Sequence, residues 1–448
     1  MKVKKEKTKI ASNNHNSFRV ISLGFAALIL TGALLLTLPI SSQSRTFTPF
    51  KDTLFTAISS SCVTGLVVRD TATHWSLFGQ IIILIMIQIG GMGVITIGLT
   101  LTRLAGKKVG LGFKGMMQDS ISAPQVGGIL NLTKFILKGT FLIELAGAAL
   151  LYPVFCRDFG ALKGIWYSIF HSVSAFCNAG FDLMGVREKF SSLTSYGSSI
   201  YVNTIIMLLI IIGGIGFLTW DDIVKHHHHF RKYRLQTKIV LVTTAVLIVL
   251  PAVFFFFAEY SGEPMKERIL HSFFQSVTAR TAGFNTADLS VMKEPCAMLM
   301  TILMLFGGCP GSTAGGMKTS TVAVLFLAAL SVFKRKNDVE CFKRRIPMDI
   351  VRTAGSILFM YIALFMSTGI VISLIEDLPL TSCLFETGSA LGTAGLTVGI
   401  TTSLSVTSHI LLMILMDAGR VGALTLIYAA FSSNREVSTL PQEKISVG

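Results

Sequence analysis

Four short segments of this chain each place a glycine after two other residues, within otherwise apolar sequence. They are Val63, Thr64 and Gly65; Asn178, Ala179 and Gly180; Thr281, Ala282 and Gly283; and Thr393, Ala394 and Gly395. Glycine adopts positive φ freely and has no Cβ, so backbone carbonyl oxygens beside it can approach a ligand closely. Several such carbonyls together can replace the hydration shell of a cation. The chemistry that these residues predict is therefore cation coordination by the backbone.

The spacing of the four glycines indicates a fourfold internal repeat. Successive glycines are separated by 115, 103 and 112 residues. A second glycine motif follows each one after 24 to 33 residues, reading "IGGMG", "IGGIG", "FGGCPG" and "AGRVG". Two landmarks that stay in step across four units favour a repeated architecture. Packing of small residues between helices would explain one such segment taken alone, but not four in register.

The elements that carry these segments are apolar enough to lie in a membrane. Of the 448 residues, 51% are hydrophobic and 14% are charged. A bilayer core takes about 20 helical residues to cross, and eight apolar runs reach that length: 18–40, 77–104, 135–155, 200–219, 239–258, 296–333, 350–375 and 407–431. We predict an all-α polytopic membrane protein with four tandem helix, pore-helix, helix repeats, that is, eight transmembrane helices around a pseudo-fourfold pore.

The charge pattern predicts the orientation. The net charge is +15, and the basic residues cluster before the first run and in every second connection, at 103–114, 225–238 and 334–345. By the positive-inside rule both termini are then cytoplasmic in a multi-pass cell-membrane protein. Because topology accounts for the basic clusters, no nucleic-acid partner is expected. The predicted divisions are a cytoplasmic N-terminus 1–17, pore repeats 18–104, 105–224, 225–338 and 339–431, and a cytoplasmic tail 432–448.

A pore follows from the behaviour of the backbone in a bilayer. Non-helical backbone at membrane depth is tolerated only where protein buries it or where it lines a watery cavity. The four glycine segments, which are predicted to enter the membrane and turn back, therefore predict a shared aqueous path. The short pore-helix before each glycine segment has partial negative charge at its C-terminal end, which suits a cation.

The sixth apolar run contains a further interruption. It spans residues 296–333, and its middle reads "GGCPGSTAGGMKTST". Proline and glycine disfavour a continuous helix, so a break is predicted near residues 307–316, followed by Lys318. A packing kink is the alternative. A phosphate-binding loop is set aside because Met317 separates Gly316 from Lys318.

Arg420 departs from the repeat. Alignment of the second motifs places it where the other units have Gly91, Gly214 and Gly308. We predict that Arg420 forms an electrostatic barrier in the pore. The alternative is that it pairs with Asp417 on the same helix.

At these residues the chain resembles the Trk/Ktr/HKT superfamily of potassium transporters, most closely the potassium-translocating membrane subunits of bacterial Ktr systems (KtrB). The most specific stretches are "SVTARTAGFNT" and "GGCPGSTAGGMKTST". The resemblance implies a fused pseudo-tetramer that binds potassium at Gly65, Gly180, Gly283 and Gly395. It also implies an intramembrane gating loop formed by Gly308, Pro310, Gly311, Ser312, Thr313, Ala314, Gly315, Gly316 and Lys318.

The resemblance further implies a homodimer in the lipid bilayer, regulated by a cytoplasmic nucleotide-binding ring of the KtrA type. The predicted function is potassium uptake through a channel-like pore, with potassium as substrate, no covalent cofactor and sodium stimulation left open. A sodium-coupled secondary transporter with alternating access is the alternative, although broken helices there usually come in two inverted halves. An enzyme is not expected, because no hydrolase or metalloprotease motif is present.

Overall fold

The structure is a computed structural model that describes residues 2–94, 96–98, 115, 117, 118 and 128–422, with side chains from residue 20 onward. Four stretches repeat one order of elements: a long helix, a short helix, a non-helical segment containing one of the four glycines, and a last helix. The first half of the chain contains α1 (Lys2–Thr37), α2 (Phe50–Ser61), α3 (Thr71–His74), α4 (Leu77–Met92), α5 (Ile129–Phe159), α6 (Ala161–Phe176), α7 (Ile200–Gly214) and α8 (Phe217–His226).

The second half keeps the same order and adds a hairpin between the third and fourth repeats. Its elements are α9 (Leu235–Ala258), α10 (Met265–Thr278), α11 (Glu294–Leu305), α12 (Thr319–Phe333), β1 (Val339–Cys341), β2 (Arg344–Ile346), α13 (Met348–Glu376), α14 (Leu380–Gly392) and α15 (Val406–Val421). Short 3₁₀ turns lie at Pro39–Ser41, Met184–Val186, Thr194–Tyr196, Phe230–Lys232 and Thr401–Ser403.

The prediction of an all-α chain misses the β1–β2 hairpin. The strands are antiparallel, with Val339 opposite Ile346 and Cys341 opposite Arg344. The turn residues Phe342 and Lys343 both have positive φ, 47° and 61°, as in the two-residue turns that match strand twist. Val339 and Ile346 are buried in a cluster with residues of α9, α12 and α13, which anchors the hairpin to the helices.

The predicted count of eight transmembrane helices is not confirmed, because the last helices of the repeats are short. In the described part of the chain, four helices are long and apolar enough to cross a membrane (α1, α5, α9 and α13), and α7 with α8 forms a fifth candidate bent by 97°. Of the other last helices, α4 and α15 end where a glycine with positive φ follows, Gly93 at 85° and Gly422 at 91°, whereas α11 ends at Leu305, before Phe306. The continuations of these two runs, at residues 99–104 and 423–431, lie outside the described residues.

The long helices carry apolar side chains on their outer surface. Leu142 on α5 and Leu374 on α13 are 69% and 79% exposed. The interior contains many buried hydroxyl groups beside the apolar cluster that joins the first two repeats. This distribution, with apolar side chains outside and hydroxyl groups inside, is the reverse of that in a soluble protein. A multi-pass membrane protein has this distribution.

Several predicted boundaries fall where the structure gives no description. These are the boundary between residues 104 and 105, the one between 431 and 432, the tail 432–448 and the whole basic cluster 103–114. At the N-terminus, α1 begins at Lys2 and ends at Thr37, three residues before the end of the first apolar run. The predicted break in the sixth run is present: α11 ends at Leu305 and α12 begins at Thr319.

Candidate ion pathway

The short helices α2, α6, α10 and α14 all end in the same way, at the predicted cation-binding segments. The residue two positions before each glycine has a left-handed conformation: Val63 at φ 57°, Asn178 at 58°, Thr281 at 69° and Thr393 at 52°. For β-branched residues this conformation is a true outlier, and it costs roughly 1–2 kcal/mol per residue. Strain of this kind is retained where the surrounding structure imposes it, most often at functional sites.

Backbone hydrogen bonds tie the next residue of each segment back to its own helix. The Thr64 N–H donates to Ser59 O at 2.8 Å, and the equivalent bonds join Ala179 to Ser174 at 2.8 Å and Ala394 to Ser389 at 2.7 Å. In the third repeat, Ala282 donates to Thr278 O at 2.9 Å, one residue closer. These bonds fix the chain direction just before the glycine, as helix-terminating motifs do.

The four glycines form a closed ring in sequence order. All have positive φ: 96° at Gly65, 68° at Gly180, 81° at Gly283 and 80° at Gly395. A Cβ built on Gly65 would lie 2.6 Å from Ala179 O, on Gly180 2.8 Å from Ala282 O, and on Gly283 2.8 Å from Ala394 O. A Cβ on Gly395 would overlap Thr64 O, which completes the circle. The fold therefore brings the four predicted segments together in one ring.

A cavity of about 190 Å³ lies on one side of this ring. All four glycines line it, and the rest of its wall comes from the connections that follow them, including Val67, Phe190 and Thr402. The charged residues in its lining are Asp70, Asp182 and Asp288, with no lysine or arginine. An acidic antechamber of this kind raises the local cation concentration.

Asp182 is the most perturbed of these aspartates. It lies in the connection between α6 and α7, and burial together with the charge of Asp70 raises the pKa of Asp182 to about 7. The Met184 N–H donates to its Oδ1 at 2.8 Å and works in the opposite direction. Asp70 is held in place by hydrogen bonds from the Thr73 and Phe190 N–H groups, at 2.8 and 3.0 Å.

Side chains of the short helices support the backbone beyond the ring, and sequence reasoning missed them. Glu386 on α14 is fully buried. Its carboxylate accepts bonds from Thr397 Oγ1 at 2.5 Å, Thr401 Oγ1 at 2.6 Å and the Val398 N–H at 3.2 Å. On α6, His171 Nε2 accepts the Leu183 N–H at 3.3 Å. An acid within an apolar helix was the available signal for Glu386.

The loop 306–318 between α11 and α12, which contains the predicted gate residues, lies on the other side of the ring. A Cβ on Gly315 would meet the side chain of Thr393, and one on Gly316 would lie 2.8 Å from Gly392 O. Thr313 Oγ1 donates to Phe176 O, at the end of α6, at 3.0 Å. The loop thus contacts the helix ends that precede the ring, whereas the cavity is lined by residues that follow it.

The same loop is bonded to the last helices of two other repeats. The Cys309 N–H donates to Gly214 O at 2.9 Å, and the Phe217 N–H donates to Gly311 O at 2.7 Å. The Gly316 N–H donates to Gly419 O at 3.2 Å. Within the loop, Ser312 Oγ donates to Cys309 O at 2.7 Å. A segment held at so many points is an ordered loop rather than a simple kink.

The remaining predicted loop residues shape its two ends. Gly308 O accepts the Thr319 N–H at 3.0 Å, and Pro310 O lies against Gly216. Lys318 precedes α12 and donates through Nζ to Ala314 O at 2.8 Å and Gly315 O at 3.4 Å. Among the described side chains no carboxylate pairs with Lys318, so a cation sits within the loop.

Arg420 joins the loop to the first repeat. Its guanidinium donates to Thr313 O in the loop, and to Gly90 O and Gly91 O at the end of α4, the last at 3.0 Å. The alternative prediction of a pair with Asp417 is wrong, since these two described residues form no ion pair. A cation whose hydrogen-bond partners among the described residues are all carbonyl groups therefore lies beneath the ring.

The second glycine motif has a packing reason in three repeats. A Cβ on Gly90, Gly213 or Gly419 would overlap a carbonyl oxygen at the end of the short helix of the same repeat, namely Ser61, Phe176 or Leu391. Glycine therefore lets each last helix reach the end of its short helix. In the third repeat, Gly307 instead contacts Gly315 and Gly316, because the helix has already ended at Leu305.

The helix arrangement, the glycine ring and the apolar exterior define a multi-helix membrane transporter. The family model for TrkH, described as a cation transport protein, matches residues 1–438. The chain therefore belongs to the TrkH family, and the resemblance to the Trk/Ktr superfamily is confirmed. Proteins of this family transport ions and are not enzymes.

Individual relatives cover nearly the whole chain. The potassium/sodium uptake protein NtpJ of Enterococcus hirae is 38% identical over 442 residues, covering 96% of this chain and 97% of that protein. The Ktr system potassium uptake protein B of Bacillus subtilis is 34% identical over 441 residues, covering 96% of each. The crystal structure of the potassium transporter TrkH from Vibrio parahaemolyticus has the same fold, with a TM-score of 0.72 at 18% identity over 92% of this chain and 84% of that one.

Proposed function

We propose that this chain is the potassium-conducting membrane subunit of a Ktr-type uptake system. The observation that carries the proposal is the ring in which Gly65, Gly180, Gly283 and Gly395 each abut a carbonyl group of the next repeat. Such a ring offers oxygen ligands to a dehydrated cation without side chains in the passage. The relative from Bacillus subtilis is named a potassium uptake protein and the one from Enterococcus hirae a potassium/sodium uptake protein, and both names support potassium as a substrate.

The electrostatics agree with a cation. The short helices all end immediately before the ring, so their C-terminal partial charges converge on it. The cavity on one side contributes Asp70, Asp182 and Asp288. A cation would enter through this cavity, lose its water at the ring, and meet the loop and Arg420 beyond it.

The loop 306–318 and Arg420 are the proposed gate and barrier. Together they cross the path between the four last helices, because the loop bonds to α7 and α15 and Arg420 bonds to α4. Opening requires these bonds to break or shift. A cytoplasmic nucleotide-binding ring of the KtrA type would supply that change, with the protein as a homodimer and both termini in the cytoplasm.

A second candidate is a sodium-coupled secondary transporter. The specific observation in its favour is that the relative from Enterococcus hirae is named a potassium/sodium uptake protein. In that case sodium would be a co-transported ion rather than a stimulator.

Flux into liposomes that contain the purified protein separates the two. We expect potassium and rubidium uptake that is not tied to sodium by a fixed ratio and that rises when the regulatory ring is added. Uptake with a constant sodium-to-potassium stoichiometry would establish the transporter instead. Absence of flux for any monovalent cation, from protein shown to be folded, would reject both.

A further inference from the structure

Glu144 is a buried acid that the proposed ion pathway does not use. It lies midway along α5, one of the helices long and apolar enough to span a membrane, and it is 5% exposed. Its neighbours Leu142 and Leu145 are largely exposed, so the opposite face of the same helix carries the apolar surface. Acids in the middle of a span are rare, and by default they mark a function.

The carboxylate of Glu144 contacts neutral donors on two other elements. Gln88 Nε2 on α4 donates to its Oε2 at 3.2 Å, and Cys177 Sγ, just beyond α6, donates to its Oε1 at 3.8 Å. No lysine, arginine or histidine pairs with it among the side chains that the structure describes. Glu144 is therefore an acceptor that joins α4 to α6, not half of an ion pair.

Gln88 stands directly before the carbonyl groups that hold Arg420. It precedes Gly90 and Gly91 in the last turn of α4, and both of these carbonyls accept hydrogen bonds from the guanidinium. The helix ends at Met92, so the carbonyls of its last turn lack partners within the helix. The Gln88 side chain gives this free end an anchor outside α4.

Cys177 brings the second repeat into the same contact. It immediately precedes Asn178, one of the strained residues before the ring, and a Cβ on Gly91 would lie 2.7 Å from its Sγ. The main chain of Glu144 also accepts a bond from Ser172 Oγ on α6 at 2.6 Å. One acid thus touches the last turn of α4 and the end of α6 together.

We infer that Glu144 is a positioning residue for the Arg420 barrier. By holding Gln88 it fixes the last turn of α4, so that Gly90 O and Gly91 O face the guanidinium. Loss of this hold lets the carbonyls move and lowers the barrier without any change to Arg420 itself. The inference rests on the proposed role of Arg420.

The test compares ion flux per folded protein, without the regulatory ring, in single and double variants. Glu144→Leu removes the acceptor and keeps an apolar side chain in the span, and Gln88→Leu removes the donor. Each should raise basal potassium flux about fivefold, the size expected for one lost hydrogen bond. Glu144→Gln keeps an acceptor oxygen and should stay near wild type. Thr140→Val on α5 is the matched control, since the Thr140 hydroxyl is buried and has no hydrogen-bond partner among the residues that the structure describes.

The double variant with Arg420→Ala decides between outcomes. If Glu144 acts through Arg420, Glu144→Leu adds no further flux in the Arg420→Ala background. If Arg420→Ala raises flux but Glu144→Leu does not, or if their effects multiply, the inference is overturned and the barrier stands. If Arg420→Ala alone leaves flux unchanged, the barrier fails and the inference fails with it. Should Glu144→Leu not fold, Gln88→Leu and Glu144→Gln decide: wild-type flux in the first, or raised flux in the second, overturns the inference.

Discussion

The ring of glycines and the layer beneath it differ in how strictly they keep the fourfold repeat. In the ring, every repeat contributes a glycine with φ between 68° and 96°, after a residue in the left-handed region. One layer below, the four repeats contribute Gly91, Gly214, Gly308 and Arg420 at equivalent positions. The third of these lies in a loop and the fourth carries a charge. Coordination of a spherical ion favours equal contributions from all sides, whereas a device that blocks and opens needs a few movable parts.

The difference also has an energetic side. The strained β-branched residues before the ring, Val63, Thr281 and Thr393, cost roughly 1–2 kcal/mol each, so the cost recurs in three of the four repeats. The layer beneath contains Arg420 and Lys318, whose described partners are all carbonyl groups. A cation without a carboxylate partner is also costly to bury, but rearrangement can relieve this cost. The ring is therefore the rigid part, and the layer is the part whose free energy depends on conformation.

The largest expected effect comes from breaking the ring. Serine at Gly65, Gly180, Gly283 or Gly395 adds a Cβ that would press on a carbonyl of the next repeat, at a φ that serine rarely adopts. Each change should reduce selectivity for potassium over sodium by about tenfold or more, that is by about 1.4 kcal/mol. Gly395→Ser should be the most severe, because its Cβ would overlap Thr64 O. Growth of a potassium-uptake-deficient host across a potassium series, with and without sodium, measures the effect.

The matched control for the ring is Gly160→Ser. Gly160 also has positive φ, 81°, but nothing lies within 4 Å of a Cβ built there. It should therefore keep wild-type selectivity while sharing the backbone strain. If all four ring variants, properly expressed, also keep wild-type selectivity, the ring is not the filter.

The next largest effect is expected from deleting part of the loop 306–318, which lies beneath the glycine ring. Deletion of residues 311–316 removes the bonds of Thr313 to Phe176 and of Gly316 to Gly419. We expect the ion flux measured without the cytoplasmic regulatory subunit to rise by up to about tenfold. We also expect the flux to depend less on that subunit. Liposome flux with and without the partner measures both. Ser312→Ala is the control, because among the described residues its hydroxyl donates only to Cys309 O, within the loop. Unchanged or lower flux from the folded deletion variant would return the loop to a packing role.

How much of the ring and of the layer beneath it can be predicted from the sequence depends on how far apart in the chain the interacting residues lie. The ring and the break in the sixth run are marked locally by glycine and proline, so their positions are predictable. The ends of α4, α7 and α15 were not predicted, because a motif such as "IGGMG" has the same hydropathy as a continuing span. The partners of Arg420 lie 107 and 330 residues away in sequence, at Thr313 and Gly90. No local pattern could identify them. The sequence offered Asp417 as a partner only because it lies three residues away on the same helix, and the structure shows no such pair between these two described residues.

A smaller effect is expected from Arg420. Arg420→Ala removes a cation and three hydrogen bonds to carbonyls, and we expect flux without the regulatory ring to rise about fivefold. Arg420→Lys keeps the charge but cannot present the same planar fork, so it should fall between. The initial rate of rubidium uptake into proteoliposomes, per folded protein, is the measurement. Asp417→Asn serves as control and should leave flux unchanged; an equal rise in that variant would revive the pairing with Asp417.

The smallest effect sharpens the comparison from the cavity side, through pH. Because the pKa of Asp182 lies at about 7, this side chain is mostly neutral below that pH and mostly charged above it. Attraction of cations into the cavity should therefore weaken on acidification, which raises the KM for potassium about two- to threefold between pH 8 and pH 6 with little change in maximal rate. Bound cations favour the charged form, so higher potassium should move the midpoint to lower pH. Asp182→Asn should remove the dependence, whereas Asp288→Asn, at an exposed position in the same cavity, should keep it. A KM that is independent of pH in the wild type would mean that the ring, and not the cavity, sets the apparent affinity for the ion.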